Sequence, residues 1–199
     1  MTDIRYTRPG HPGASAQRVY ETLARQAEAW AAGAAGERAV ARRLGRARRA
    51  EVLSDRAWPG RRANLDHVVV APSGVFVIDT KAYRGRVELI DRGSFCRASF
   101  RLHVEGWDRS DLVAGVRRQA ELVRALVEAA GIGADPVEVT AVLCFVGSQW
   151  AMPAPHLRVG SVLVADLGGL GRIVGRRGPL AGAERRRLAG VLDRALPPR

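Results

Sequence analysis

Lysine is almost absent from this 199-residue chain: 31 of its 32 basic residues are arginine, and only Lys81 is lysine. Guanidinium and ammonium are not interchangeable, because arginine is bulkier and its proton is effectively unavailable, so a lysine kept against this bias calls for a chemical reason. Cysteine is scarce as well. Cys96 and Cys144 are too few for a disulfide framework or a paired-cysteine metal site, which suits a reducing cytosol and predicts a cytoplasmic protein. Aromatic residues make up 6% and do not interleave with the arginines, which argues against an extended stacking platform for single strands. Long apolar runs are missing. The longest uncharged stretch, Val139 to Leu157, is interrupted by Gly147-Ser148-Gln149, Pro153 and Pro155, a poor match to the roughly 20 apolar residues a membrane span needs. Neither a signal peptide nor a membrane partner is expected, since no apolar core follows Met1. His11, His103 and His156 are isolated and lack metal-ligand spacing. Gly168-Gly169-Leu170-Gly171 fits neither dinucleotide nor phosphate-loop patterns, which excludes the common nucleotide-binding signatures.

What is present describes a globular protein. Hydrophobic residues reach 47% and charged residues 26%, enough for a buried core. Residues 1–13 read as a disordered or loosely attached tail, and 14–199 as a single domain. The net charge of +12 is uneven: 1–62 carry +7, 63–150 carry −1 and 151–199 carry +6. Two basic flanks around a nearly neutral middle attract polyanions, of which nucleic acid is the commonest in a cytosol; arginine-rich coding alone gives the same composition.

Periodicity divides the chain into elements. A helical pattern runs from about Ser15 to Leu44, with Trp30, Gly33, Glu37, Val40 and Leu44 on one face. Strands follow: a weak one at Ala50–Trp58, strong ones at Leu65–Val70 and Val75–Lys81, a continuation of the sheet at Gly85–Ile90, and an edge strand at Phe95–Val104. Asp108 or Ser110 caps a helix that Gly131 closes; strands at Val137–Val146 and Val159–Val164 and helices at Leu167–Val174 and Ala181–Leu196 complete the chain. The order predicts an α/β or α+β domain with a mixed central sheet.

Chemistry concentrates in one hairpin. If Ala71–Gly74 form its loop, Val70 faces Val75 and Asp66 lies opposite Asp79, on the same face as Lys81. Thr80 points to the other face. Two adjacent carboxylates repel unless one is protonated or a cation sits between them. Such oxygen ligands suit Mg²⁺ or Mn²⁺, and the ammonium would polarise water or stabilise charge on a phosphate. The bland alternative is a pair of solvated strand ends with Lys81 bonded to one of them. Glu37 is the second anomaly, a carboxylate on the apolar stripe of the first helix. It is a fourth member of this cluster or a stripe-edge residue paired with arginine. His67 alternates away from Asp66 and reads as packed. Arg42, Arg43 and Arg46, just after the Glu37 helix, and Arg84 and Arg86, just after Lys81, are candidate phosphate contacts.

Taken together, Gly36-Glu37 on a helix, Leu65-Asp66-His67-Val68-Val69-Val70, the Pro72-Ser73-Gly74 turn and Asp79-Thr80-Lys81 resemble the nuclease-related domain, or NERD. That family belongs to the PD-(D/E)xK restriction-endonuclease-like superfamily. The likeness is clearest over residues 30–90. It implies a restriction-endonuclease-like αβββαβ core, a mixed central sheet flanked by helices, and metal-dependent cleavage of nucleic-acid phosphodiesters, DNA being the expected substrate. On this resemblance Asp66 and Asp79 ligate Mg²⁺ (or Mn²⁺), with the Thr80 carbonyl as a further ligand. Lys81 assists the attacking water, Glu37 binds metal directly or through water, and Gln119 reaches the site or the phosphate. Two positions depart from the family pattern: Asp79 stands where glutamate is more usual, and Val123 where some relatives carry an aromatic residue. An inactive nucleic-acid-binding module of the same fold is the alternative, and a homodimer is left open.

Overall fold

The computed structural model describes residues 13–93, 99–132, 135–150 and 156–199. The expected N-terminal tail lies almost wholly outside these residues, as do Cys96 and the start of the Phe95–Val104 strand. Among the described residues there are four helices, α1 (Gly13–Leu44), α2 (Ser110–Ala130), α3 (Leu167–Val174) and α4 (Gly182–Ala195), and ten strands. The strands are β1 (Glu51–Ala57), β2 (Asn64–Ala71), β3 (Gly74–Lys81), β4 (Arg86–Asp91), β5 (Phe100–Val104), β6 (Trp107–Asp108), β7 (Val139–Phe145), β8 (Gln149–Trp150), β9 (His156–Val159) and β10 (Val162–Ala165).

Six strands form the central sheet in the order β1-β2-β3-β7-β10-β9. The first three are antiparallel, β3–β7 and β7–β10 are parallel, and β10–β9 is antiparallel. This is a mixed α/β fold compatible with the restriction-endonuclease-like arrangement: α1, three antiparallel strands, α2, then β7 parallel to β3. The central strands are Val-rich because they are buried on both faces. Val68, Val70, Val75 and Val77 pack on the side of α2 and α4. Val69, Phe76 and Ile78 pack on the side of α1 and α3.

The hairpin tip is clamped by the chain around it. Gly74 has φ +138, and a Cβ there would stand 2.7 Å from the Glu138 carbonyl oxygen. The Leu180 N–H donates to the Pro72 carbonyl at 3.0 Å. With the tip held, the register of the whole hairpin is held.

Three expectations are corrected. Gly85–Ile90 does not extend the central sheet; β4 joins a separate four-stranded sheet ordered β6-β5-β4-β8. Val159–Val164 is not one strand but a β9–β10 hairpin that reverses at Gly160, φ +59. The buried face of α1 is Gly36, Val40 and Leu44, while Trp30 is 81% exposed and Glu37 is exposed too. Alanine and glycine fill so much of this helix that the sequence pattern has little contrast between faces.

Candidate active site

The open end of the β2–β3 hairpin gathers the candidate residues. Partner numbers sum to 145 from Ala71↔Gly74 to His67↔Ile78, the register expected from the four-residue loop. Regular pairing stops there, and Asp66 is used differently. Its Oδ2 accepts the Thr80 N–H at 2.8 Å, tying the start of β2 to the end of β3 through a side chain. On the other side β3 is fixed by β7, with Asp79↔Leu143, Thr80↔Cys144 and Lys81↔Phe145 in parallel register. The Val146 N–H donates to the Lys81 carbonyl at 2.9 Å. This end of β3 is thus held from both neighbours.

Asp79 is buried, and Lys81 Nζ lies 3.0 Å from its Oδ1 and 2.9 Å from its Oδ2. Burial pushes the Asp66 carboxyl up to about 7, and the Asp79 charge pushes the same way. The Thr80 N–H and Lys81 partly oppose this, whereas Glu37 adds to it. Burial alone favours the neutral Lys81 amine, but Asp79 and Asp66 outweigh it and hold the ammonium above its ordinary range. Two carboxylates in a partly desolvated site, one carrying excess proton affinity, form a cation-seeking arrangement.

The remaining candidates occupy different surroundings. Glu37 comes close enough for its charge to act on Asp66. Among the described residues, however, no three His, Cys, Asp or Glu side chains gather as a metal cage. Gln119 lies on α2, which packs on the sheet face shared by Asp66, Asp79 and Lys81, and its Oε1 is buried without a hydrogen-bond partner. The Thr80 side chain points the other way, towards Gly36 of α1. Arg42, Arg46 and Arg84 are exposed, and Arg86 is exposed and bonded to Glu88 at 2.8 Å. Arg43 turns inward: its Nε donates to the Leu167 carbonyl at 3.1 Å, and its guanidinium packs on Gly171. It braces α1 against α3.

His67 is buried on the opposite face, as alternation requires, with Nδ1 2.9 Å from Ser54 Oγ. Desolvation lowers it to about 4, so it is neutral near pH 7.

Sequence reasoning missed Asp55. It is the β1 residue that falls opposite Asp66, at the one gap in the β1–β2 ladder, and it has φ +47. Its Oδ1 accepts the Asn64 Nδ2–H at 2.9 Å. The signal was hidden because β1 is a weak strand by composition, so its register was not readable.

The donor set fits a hard divalent cation. Carboxylate oxygens and a strand carbonyl suit Mg²⁺ or Mn²⁺, which bind through one or two carboxylates and keep several waters, so a closed protein cage is not required. Burial and the Asp79 charge hold Asp66 towards its protonated form, a repulsion that either a proton or a cation relieves. Residues 32–146, from the middle of α1 through β7, match the sequence model of the nuclease-related domain. Neither a curated protein nor a solved structure matches the chain.

Proposed function

The chain belongs to the nuclease-related domain family, within the PD-(D/E)xK superfamily, and on that premise we propose that it hydrolyses phosphodiester bonds in nucleic acid, DNA being the expected substrate. One observation carries the reading: Asp66, Asp79 and the only lysine, Lys81, converge at the open end of a hairpin that is otherwise Val, Ile and Phe. Asp66 and Asp79 would hold Mg²⁺ or Mn²⁺, with the Thr80 carbonyl as a further ligand and Glu37 reaching the ion through water. A divalent ion there supplies a lowered pKa for bound water and neutralises charge on the phosphate.

The protein's own groups do the rest. Lys81 is anchored on Asp79 and presents a compact ammonium where negative charge builds on the scissile phosphate. Asp66 is oriented by the Thr80 N–H, so its second oxygen has a defined direction. The unpartnered Oε1 of Gln119 accepts a hydrogen bond from water or substrate. Arg42, Arg46 and Arg84, which are exposed, contact the backbone phosphates on either side.

The test is cleavage of plasmid, linear duplex and single-stranded DNA by purified protein with Mg²⁺ or Mn²⁺, with EDTA and Lys81→Ala as controls. Metal-dependent nicking by wild type alone supports the reading. Cleavage unchanged in Lys81→Ala overturns it. Salt-sensitive DNA binding with neither metal uptake nor cleavage identifies an inactive binding module instead.

A further inference from the structure

Trp30 is the anomaly that the hydrolytic site leaves unexplained. It lies two residues before the family match begins, and it is 81% exposed. Among the described residues Trp58 is covered by the Arg61 guanidinium and Trp150 sits edge-on to Phe145, whereas no ring or guanidinium contact engages Trp30. Single exposed apolar side chains are ordinary on a protein surface, and Tyr20 at 73% and Trp107 at 71% are exposed as well; the interest of Trp30 lies in the groove it borders.

Its neighbourhood is a groove of about 710 Å³ lined by Ala29, Trp30, Gly33, Ala34, Glu37, Asp55, Asn64 and Arg199. Seven residues separate Trp30 from Glu37, which is two helical turns, so both lie on one face of α1, about 10 Å apart along its axis. Gly33 lies between them, and a Cβ there would meet nothing within 4 Å, so the indole face has headroom. The far wall leads into the hydrolytic site, because Asn64 precedes Asp66 by two residues on β2.

The polar groups of the groove decide what fits. Glu37 and Asp55 outnumber the single cation Arg199, so a phosphate is repelled from it. Asn64 Nδ2 donates to Asp55 Oδ1 at 2.9 Å, which leaves the second Asp55 oxygen, the Glu37 carboxylate and the Asn64 carbonyl oxygen as acceptors for amino groups, and carboxylates accept from the exocyclic amine of cytosine. An aromatic face beside such acceptors matches a nucleobase, with its phosphates held outside the groove.

We infer that Trp30 is a stacking platform for one unpaired nucleobase, favouring bases with an exocyclic amino group, next to the hydrolytic site. This rests on the nuclease-related reading and deepens it: the substrate presents a single-stranded or extruded nucleotide a few positions from the scissile bond. Trp30 is a positioning residue, not a catalytic one.

The experiment measures fluorescence anisotropy of labelled oligodeoxycytidylate, oligodeoxythymidylate and a blunt duplex bound to the full chain in EDTA, for wild type, Trp30→Ala and Trp30→Phe. Stacking on an aromatic residue predicts that Trp30→Ala weakens oligodeoxycytidylate binding by about tenfold or more. Trp30→Phe keeps most of the affinity, oligodeoxythymidylate binds more weakly than oligodeoxycytidylate to wild type, and the duplex is unaffected. Unchanged single-strand affinity in Trp30→Ala overturns the inference. So does a Trp30→Ala protein that binds like wild type but changes from dimer to monomer on sedimentation, which would make the exposed side of α1 a self-association face. Cleavage with Mg²⁺ separates the two readings. If wild type cleaves nothing yet Trp30-dependent binding persists, the platform stands and hydrolysis falls; if Trp30→Ala binds and cleaves single strands like wild type, hydrolysis stands and the platform falls.

Discussion

Lys81 Nζ sits 3.0 Å from one oxygen of Asp79 and 2.9 Å from the other, so the only ammonium side chain of the protein straddles a buried carboxylate. A guanidinium would bond the same carboxylate in a flat fork and turn its remaining donors elsewhere. Lys81→Ala and Lys81→Arg should therefore both lower cleavage, by roughly 100-fold or more, the usual loss when one transition-state donor is removed. Lys81→Ala also leaves the Asp79 charge without a partner, costing about 3 kcal/mol. Lys81→Arg keeps that charge paired. Thermal unfolding with single-turnover cleavage separates the effects: the arginine variant should be stable yet inactive. An active, stable Lys81→Arg protein would contradict a specific role for the ammonium.

Asp66 and His67 are adjacent in sequence and shifted in opposite directions, the first up to about 7 and the second down to about 4. Asp66 binds its proton more tightly when folded. Its contribution is full below its ordinary value of 3.8 and is lost as pH rises to about 7. His67 binds its proton less tightly when folded. Its contribution is present above 6.5 and is lost as pH falls to about 4, amounting to about 3 kcal/mol at most. Between about pH 4 and 6.5 the two slopes oppose each other. In EDTA the wild type should show a nearly flat stability profile in this window. Asp66→Asn should lose stability as pH falls, and His67→Asn should gain it. Urea unfolding at half-unit pH steps reads both; parallel profiles for the three proteins would refute the assignment. Mg²⁺ should erase the Asp66 slope and release protons on binding near pH 7, which calorimetry in buffers of different ionisation heat detects.

Much of this site was legible because it is local. A four-residue turn fixes the hairpin register as far as His67↔Ile78, and alternation carries Asp79, Thr80 and Lys81 on from there, whereas the bond from the Thr80 N–H to Asp66 lies past the ladder and was not legible. The expected bounds of α3, Leu167–Val174, match the structure, in which Asp166 caps its start by accepting the Gly169 N–H. What was not legible depends on distant packing. The face of α1 was misjudged because alanines hide the contrast between sides, and the β4 strand was assigned to the wrong sheet because partner choice leaves no mark on a single strand. Arg43 and Arg42 look identical in sequence, and only α3 distinguishes them.

That distinction yields a test. Arg43→Ala removes the bond to the Leu167 carbonyl and the packing on Gly171, so it should cost about 1–2 kcal/mol of stability. Its effect on nucleic-acid affinity should be small. Arg42→Ala and Arg46→Ala, which are exposed, should leave stability within about 0.5 kcal/mol. Each should instead reduce the slope of log affinity against log salt by about one counterion. Salt titrations of DNA binding with thermal melts check both halves. A large salt-slope change in Arg43→Ala without destabilisation would reverse the assignment.

Gly36 sets the distance between α1 and the end of β3. A Cβ at this position would stand 3.2 Å from the Ala82 Cβ, 3.5 Å from the Thr80 Cγ2 and 3.8 Å from the Val146 Cβ. The helix therefore crosses the end of β3 at a separation that leaves room for little more than a Cβ, and Glu37 is carried to the edge of the site as the next residue. Gly36→Ala asks its neighbours to give by a few tenths of an ångström, and the gain of about 1 kcal/mol in helix propensity offsets that strain, so its stability should stay close to wild type. Gly36→Leu has no such escape. Overpacking costs about 1–3 kcal/mol, which for a chain of this size lowers Tm by about 2–10 °C. Because α1 must lift for the side chain to fit, Glu37 moves away from Asp66, and Gly36→Leu should lose Mg²⁺-dependent cleavage at temperatures where it is still fully folded. Circular dichroism melts and cleavage assays on the glycine, alanine and leucine proteins measure both effects. Wild-type melting and cleavage in Gly36→Leu would show that this contact does not seat the helix.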